Sequence, residues 1–302
     1  MAKAPRGQRT LKRCIDSYLD RQRIRSKPKS VRNAECSCGH LLRVLGSRSV
    51  YNLIESDLDR FILARRKEGV RDKTINGDLI ILRAVLNHAV SVGLLPESPF
   101  KVRLLRVARK RQRKTFTREE LRHLLECASK VCDKRIYGIL LIAIHTGFRN
   151  DEILHLRWSD TDPEELSLRI TSKPDVGWSS KSHQERTVFV APDVFDWLAP
   201  WRSDSAWPEE QHWIFSTRNG GPMSVTNVSR AVRRVFENAG LYESQNAVLH
   251  LIRHTAATRL VTSGVDLETA RDILGHADVS TTALYLHSSN QRKKAAAAKL
   301  AI

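Results

Sequence analysis

The sequence predicts a mainly α fold built from two domains, an N-terminal helical domain and a C-terminal α+β domain with a small β-sheet. Apolar residues recur at the three- and four-residue steps of amphipathic helices through most of the chain, whereas two short runs, residues 166–171 and 186–190, have the character of strands. The length of 302 residues is enough to bury two ordinary cores.

The first hundred residues predict four helices. Pro28 stops the first helix, Gly46 ends the second, Ser56 caps the third, and Gly93 closes the fourth, whose apolar stripe is the most regular. The predicted bounds are residues 11–25, 30–45, 56–69 and 74–92. Four helices in about ninety residues indicate a compact helical domain over residues 11–100, preceded by a basic arm at residues 1–10.

The net charge of +18 is concentrated in the first third of the chain. Residues 1–114 hold 28 Lys and Arg against 10 Asp and Glu, and the remainder is balanced. This asymmetry predicts a polyanion-binding domain, although charge alone does not separate nucleic acid from an acidic membrane. Residues 101–114 are predicted to be a solvated basic linker along a phosphate backbone. Its cations are Lys101, Arg103, Arg106, Arg109, Lys110, Arg111, Arg113 and Lys114.

The sequence shows no targeting signal or disulfide pattern, and the expected location is the cytosol. The longest apolar run, residues 139–144, is too short to span a bilayer, and the N-terminus has no apolar segment behind its charges. Five cysteines are an odd number, so a disulfide framework is not expected. Cys36, Cys38 and His40 suggest a zinc site, but they have no distant matching pair, and the expectation is no metal.

The second domain, residues 115–302, opens with a capping box at Thr117 and Glu120. An apolar helix at residues 136–144 follows. The strand-like runs 166–171 and 186–190 predict a hairpin with a long tip. Further predictions are a helix at residues 192–202, a third strand at residues 213–215 and a helix capped by Ser224 and closed by Gly240.

The chemistry-bearing residues are clustered in two motifs. In the first, Gly147 permits a sharp turn, after which Arg149 and Glu152 stand one helical turn apart. The second spans residues 249–287. It begins with His250 and Arg253, one helical turn apart.

The second motif then continues through a helix that ends at Gly275. His276 follows directly, and Tyr285 comes nine residues later on a helix predicted to be capped by Ser280 and Thr281. His254, next to Arg253, is expected to be a packed, hydrogen-bonded histidine.

These motifs resemble those of the tyrosine recombinases, the phage-integrase family that includes Xer-like site-specific recombinases. Its pattern is T-G-x-R-x-x-E, then H-x-x-R, then L-G-H with a tyrosine nine residues on. The resemblance implies a SAM-like core-binding domain followed by a catalytic domain. The family's hairpin lysine is matched by Lys181, five residues before Arg186, although Phe189 and Val190 stand where Pro-Leu is usual. Lys173 is the competing position.

The resemblance also implies a role for each residue. Tyr285 is the nucleophile that forms a 3′-phosphotyrosyl intermediate, and Arg149 and Arg253 bind the phosphate. Lys181 is the general acid, His250 accepts the tyrosine proton, and His276 hydrogen-bonds the scissile phosphate. Such chemistry requires neither metal nor ATP, so no cofactor is expected. Arginine suits the phosphate role because it stays charged and donates two parallel hydrogen bonds.

The expected partner is double-stranded DNA. By family analogy four copies assemble on two recombination sites, with an accessory or partner recombinase as a further partner, at the nucleoid in the cytoplasm. Integration, multimer resolution and transposon recombination stay open. Two other functions are considered: a type IB topoisomerase that nicks and reseals one duplex, and a non-enzymatic DNA-binding relic. The spacing from His276 to Tyr285 argues against the first, and the intact set of residues argues against the second.

Overall fold

The computed structural model describes residues 10–107, 115–180, 184–242 and 248–283. The chain divides into two compact units, residues 1–110 and residues 111–302. Each unit has its own hydrophobic core. Helices dominate both, and the second unit contains a small antiparallel sheet. The predicted fold class is therefore confirmed.

The first unit is a bundle of four helices around α4. Their bounds are α1 (Leu11–Arg25), α2 (Pro28–Leu45), α3 (Glu55–Lys67) and α4 (Asp72–Ser91). The apolar stripe of α4, with Ile75, Leu79, Leu82 and Leu86, is fully buried, and α4 contacts each of the other three helices. Its buried stripe is the one that the regular spacing predicts.

Three helix starts differ from the prediction, and α4 begins at Asp72, two residues before the predicted start. α2 begins at Pro28 rather than Ser30, because proline fits the first turn of a helix, where an N–H has no partner inside the helix. α3 begins at Glu55, and Ser56 does not cap it. The backbone N–H of Ile54 donates instead to the carboxylate of Asp57, with an N–O distance of 3.1 Å.

The basic segment predicted as a solvated linker begins as a packed strap on α4. Val102 is buried in the core of the first unit, and Leu105 packs against that core. Asn76 of α4 clamps the Leu105 backbone with two hydrogen bonds, accepting from its N–H (2.8 Å) and donating to its carbonyl (3.0 Å). Arg83 donates to the Val102 carbonyl (2.6 Å). Residues 101–105 therefore belong to the helical unit.

The second unit is organised around the apolar helix α6. Ile139, Leu140 and Ile142 are fully buried, and neighbouring helices pack on several sides of α6. The capping box of Thr117 and Glu120 is confirmed by both of its hydrogen bonds. The helices are α5 (Arg118–Ser129), α6 (Lys134–Thr146), α7 (Asn150–Leu154), α8 (Pro192–Ser203), α9 (Val225–Asn238), α10 (Val248–Thr262), α11 (Leu267–Leu274) and α12 (Val279–Ala283).

The sheet contains the predicted hairpin but a different third strand. β2 (Ser167–Ile170) pairs antiparallel with β3 (Arg186–Phe189), and β1 (Thr161–Asp162) pairs with the other edge of β2. Residues 213–215 are not a strand of this sheet. Trp213 forms an isolated antiparallel bridge with Arg157, because its segment pairs with the residues before β1 instead of with β2 or β3.

Three further predictions concern a helix cap, the cysteine cluster and membrane-spanning helices. Ser224 precedes α9 as predicted, but its side chain makes no capping hydrogen bond. Cys38, one of the three residues of the zinc hypothesis, is buried in the core. Burial is the main cause that raises the pKa of its thiol to about 12. His40 Nδ1 lies 3.3 Å from Asp78 Oδ1. Within the described ranges, no helix is both long and apolar enough to cross a bilayer.

Because Asn76 holds the Leu105 backbone on α4, Asn76→Ala should make residues 101–105 more sensitive to protease. Loss of two hydrogen bonds should weaken the attachment of residues 101–105 by about 1–2 kcal/mol. Trypsin should then cut after Arg103 about tenfold faster, measured by mass spectrometry of timed digests. Asn87→Ala is the matched control, since Asn87 is exposed on the same helix. Equal cleavage rates in the two variants would contradict the clamp.

Candidate active site

Three arginines from separate elements converge on the C-terminal end of α11. Arg149 directly precedes α7, Arg253 lies on α10, and Arg186 begins β3. Carbonyls in the last turn of a helix have no partner within it and carry partial negative charge, so they attract cations. The bonds run from Arg186 Nε to the Ile273 carbonyl (3.1 Å), from Arg253 Nη2 to Leu274 (2.7 Å) and from Arg149 Nη2 to Gly275 (2.8 Å).

Two glycines make this convergence sterically possible. Gly275 ends α11 with φ of 65°, and a Cβ there would lie 2.6 Å from the guanidinium of Arg186. Gly147 ends α6 with φ of 63°, and its carbonyl accepts a hydrogen bond from Arg253 Nη1 (2.8 Å). Both glycines occupy the left-handed region that other residues rarely adopt. Arg253 thereby joins the ends of α6 and α11.

The buried carboxylate of Glu152 holds two of the arginines. Its Oε1 accepts from Arg149 Nη1 (2.7 Å), and its Oε2 accepts from Arg186 Nη2 (2.6 Å) and from the Arg149 backbone N–H (2.9 Å). Burial by itself raises the pKa of Glu152. Hydrogen bonding to Arg186 and the charges of both arginines outweigh it and hold the pKa below its ordinary value. Glu152 therefore stays ionised and orients both cations.

His276 follows Gly275 and lies within this cationic cluster. Its Nδ1 is 2.9 Å from Oγ1 of the buried Thr282 on α12. That helix begins at Val279, so Ser280 and Thr281 lie inside it and the predicted capping positions are wrong. Burial, then the charges of the nearby cations, lowers the pKa of His276 to about 4. The imidazole is therefore neutral at pH 7.

His250 and Arg253, which begin the second motif, both lie on α10 as predicted, and they differ in burial. His250 is exposed and lies close enough to His276 to contribute to the lowered pKa of that residue. Arg253 is buried. His254 Nδ1 lies 3.2 Å from Thr258 Oγ1, a packed, hydrogen-bonded position.

Other predicted site residues are only partly described. Lys181 and Tyr285 lie outside the described residues, as do Arg109, Lys110, Arg111, Arg113 and Lys114. Lys101, Arg103 and Arg106 are exposed on the strap of the first unit. Lys173, the competing lysine, is buried and its Nζ lies 2.7 Å from Asp160 Oδ1.

Arg186 is a site residue that the sequence reasoning used only as a spacing marker. Its side chain is 7% exposed, contacts Glu152 and the end of α11, and stacks over Phe148 at 4.9 Å. The signal for it was a cation at the first position of a short strand, five residues after Lys181. Without the partner carboxylate in view, that signal is indistinguishable from an exposed strand end.

The sequence model of the phage integrase family matches residues 114–292, more than half of the chain. This chain belongs to the phage integrase family. The match covers the whole cationic cluster around the end of α11. It also includes the positions of Lys181 and Tyr285.

Comparison with individual proteins extends the similarity of this phage integrase family member to both units. The tyrosine recombinase XerC of Proteus mirabilis is 27% identical over 288 residues, covering 92% of this chain and 90% of that protein. The structure of the Tn1549 transposon integrase with transposon right end DNA has a TM-score of 0.80 at 21% identity, covering 96% and 99% of the two chains.

A second solved structure has the same fold at greater distance. A lambda integrase tetramer bound to a Holliday junction has a TM-score of 0.72 at 19% identity, covering 91% of this chain and 77% of that one. At such identities the likeness shows the fold alone.

The cluster of this family member is suited to a group that gains negative charge. Among the described residues of the cluster, Arg149, Arg186 and Arg253 bring three positive charges and Glu152 brings one negative charge, beside a neutral His276. Preorganised donors of this kind stabilise a developing oxyanion without reorganising during the reaction.

Glu152→Gln should destabilise the second unit. An amide NH₂ would face a guanidinium, and Arg149 and Arg186 would lose the charge of this buried carboxylate, which costs about 3 kcal/mol or more. Urea unfolding followed by circular dichroism measures the change. Glu164→Gln, on an exposed acid of the β1–β2 turn, should change stability by less than about 0.5 kcal/mol. A similar small change in Glu152→Gln would contradict the buried role.

His276 predicts a loss of stability in mild acid. Its folded pKa of about 4 lies below the ordinary 6.5. As the pH falls below about 6.5 the unfolded chain takes up the proton first, so stability falls until about pH 4, by at most about 3 kcal/mol. Unfolding at pH 7.5, 5.5 and 4.5 should show a shallower pH dependence in His276→Gln. His123→Gln, at an exposed histidine, should keep the wild-type slope.

Proposed function

We infer that this chain is a site-specific tyrosine recombinase, which cuts and rejoins double-stranded DNA. The observation that carries the inference is the cluster of Arg149, Arg186, Arg253 and His276 at the end of α11, in a chain that belongs to the phage integrase family. The cluster provides fixed positive charge where a scissile phosphate needs it.

In the proposed reaction Tyr285 attacks the phosphate. A bond forms between its phenolic oxygen and phosphorus, the bond from phosphorus to the 5′-oxygen breaks, and a 3′-phosphotyrosyl intermediate results. His250 accepts the phenolic proton, and Lys181 donates a proton to the leaving 5′-oxygen. A 5′-hydroxyl of another strand then reverses these steps. The phosphotyrosyl bond conserves the energy of the broken bond, so the reaction requires no metal or ATP.

Arg149, Arg253 and His276 are proposed to contact the non-bridging oxygens. Guanidinium groups remain charged at every working pH and offer paired donors that match phosphate geometry. A neutral His276 acts as a hydrogen-bond donor and adds no further charge. Arg186 reaches the same helix end and, with Glu152, keeps Arg149 in place.

DNA binding by both units is part of the proposal. The strap exposes Lys101, Arg103 and Arg106, and the basic run continues through Lys114. Contacts of these cations with phosphates would fix the protein on the duplex without reading its sequence. By analogy with the lambda integrase tetramer, four copies are proposed to assemble on two DNA sites at the nucleoid.

The decisive experiment uses nicked suicide duplexes that tile candidate crossover sites from the flanking genome, incubated in EDTA and run on denaturing gels. Wild type should form a protease-sensitive covalent adduct on one site. Tyr285→Phe should form none. Tyr242→Phe is the matched control, because Tyr242 lies beside Arg233 outside the cluster, and it should form the adduct normally.

Each alternative has its own outcome. An adduct that persists in Tyr285→Phe would refute the assigned nucleophile. Relaxation of supercoiled plasmid by isolated monomers without site preference would favour a type IB topoisomerase. Salt-sensitive DNA binding with no adduct on any duplex would favour the DNA-binding relic.

A further inference from the structure

The connection between β2 and β3 is folded around a buried ion pair. Lys173 Nζ lies 2.7 Å from Asp160 Oδ1 and also donates to Thr171 Oγ1. The other carboxylate oxygen of Asp160 accepts from the Arg157 backbone N–H (2.8 Å). Lys173 and Asp160 are each no more than 4% exposed. The ammonium of Lys173 is thus enclosed, out of reach of a DNA oxygen.

Trp178 ties this connection to α7. Its backbone pairs with Lys173 through two hydrogen bonds of 2.8 and 3.0 Å. Its indole ring stacks on His155 at 4.6 Å with an angle of 8°, and its Nε1 donates to Asp151 Oδ2 (2.8 Å). Asp151 is the neighbour of Glu152, which holds Arg149 and Arg186. One short helix therefore anchors both the cationic cluster and the hairpin connection.

The residues on either side of 181–183 are also held. Ser180 is buried, and its hydroxyl donates to the Gln184 carbonyl at 3.4 Å. The Ser172 backbone N–H donates to Glu185 Oε1 (3.0 Å), and Arg186 binds Glu152. The residues that flank the segment containing Lys181 are therefore anchored on both sides.

We propose that Lys173 and Trp178 are positioning residues for Lys181. With Asp160 and Asp151 they form a clamp that attaches the connection between β2 and β3 to α7, next to Arg149 and Glu152. This proposal rests on the proposed role of Lys181. In that role, as the phosphorus to 5′-oxygen bond breaks, a proton passes from the Lys181 ammonium to the oxygen and a neutral amine remains. A general acid must lie within hydrogen-bond reach of the atom it protonates. Anchoring the connection that carries Lys181 therefore raises the efficiency of proton transfer.

The test replaces the leaving 5′-oxygen with sulfur in a nicked duplex carrying the site mapped by the adduct experiment. A thiolate leaves without protonation because a thiol is far more acidic than an alcohol. Cleavage rates are compared for oxygen and sulfur substrates with wild type, Lys181→Ala, Lys173→Met, Trp178→Ala and Trp178→Phe. Trp207→Ala is the matched control, since Trp207 also packs on a histidine, at 5.1 Å from His212.

Lys181→Ala should lose about a hundredfold or more on the oxygen substrate, the usual contribution of a general acid. Trp178→Ala should lose about tenfold, and Trp178→Phe, which keeps the ring but not the indole hydrogen bond, less. All three, and Lys173→Met, should lie within about twofold of wild type on the sulfur substrate. Trp207→Ala should leave the ratio of the two rates unchanged.

Other patterns separate the proposal from the function beneath it. Equal slowing of Trp178→Ala on both substrates, with rescue of Lys181→Ala, would show that the clamp supports only the fold and would overturn the proposal. A slow Lys181→Ala on both substrates would refute its role as the acid. Full activity of Lys181→Ala with rescue of Lys173→Met would make Lys173 the acid and overturn both.

Discussion

The C-terminal end of α11 is the interaction on which the catalytic unit depends. Arg149, Arg186 and Arg253 come from three elements that are distant in sequence, and each donates to one of three consecutive carbonyls there. The helix end supplies partial negative charge, and Glu152 supplies a full one. Removing either would leave the guanidinium groups with less negative charge beside them, so the turn at Gly275, the helix α7 and the strand β3 stabilise one another.

The same arrangement explains why the site is prepared for a phosphate. Arg149 and Arg186 are oriented by Glu152, and Arg253 bridges the ends of α6 and α11, so the donors need little reorganisation when a substrate arrives. The surrounding cations and burial keep His276 neutral, which suits a hydrogen-bond donor. Among the described residues, a cluster of three arginines around one carboxylate favours a ligand that gains negative charge.

The sequence was most informative where function depends on local spacing. The sharp turn at Gly147, the one-turn separation of Arg149 and Glu152, and the stop at Gly275 follow from backbone geometry and helix periodicity. The role of Arg186 did not follow, because its partner Glu152 is 34 residues away. Lys173 gave equally little signal, since a lysine beside a proline does not reveal the buried carboxylate of Asp160. The prediction of a solvated linker was wrong over residues 101–105, because the basic composition conceals two apolar residues, Val102 and Leu105, that pack on the first unit.

By itself, the sequence determined the class of fold, the helical and hairpin segments, and the motifs that place the chain in its family, because periodicity, capping and motif spacing are local properties. Tertiary structure alone decided which cations share a carboxylate, which lysine is enclosed, and where the basic segment leaves the first unit. Those outcomes depend on burial and on partners brought together across the chain. Trp178 shows this most clearly: the sequence marks it only as an aromatic residue in a loop, and the fold attaches that loop to the helix of Glu152.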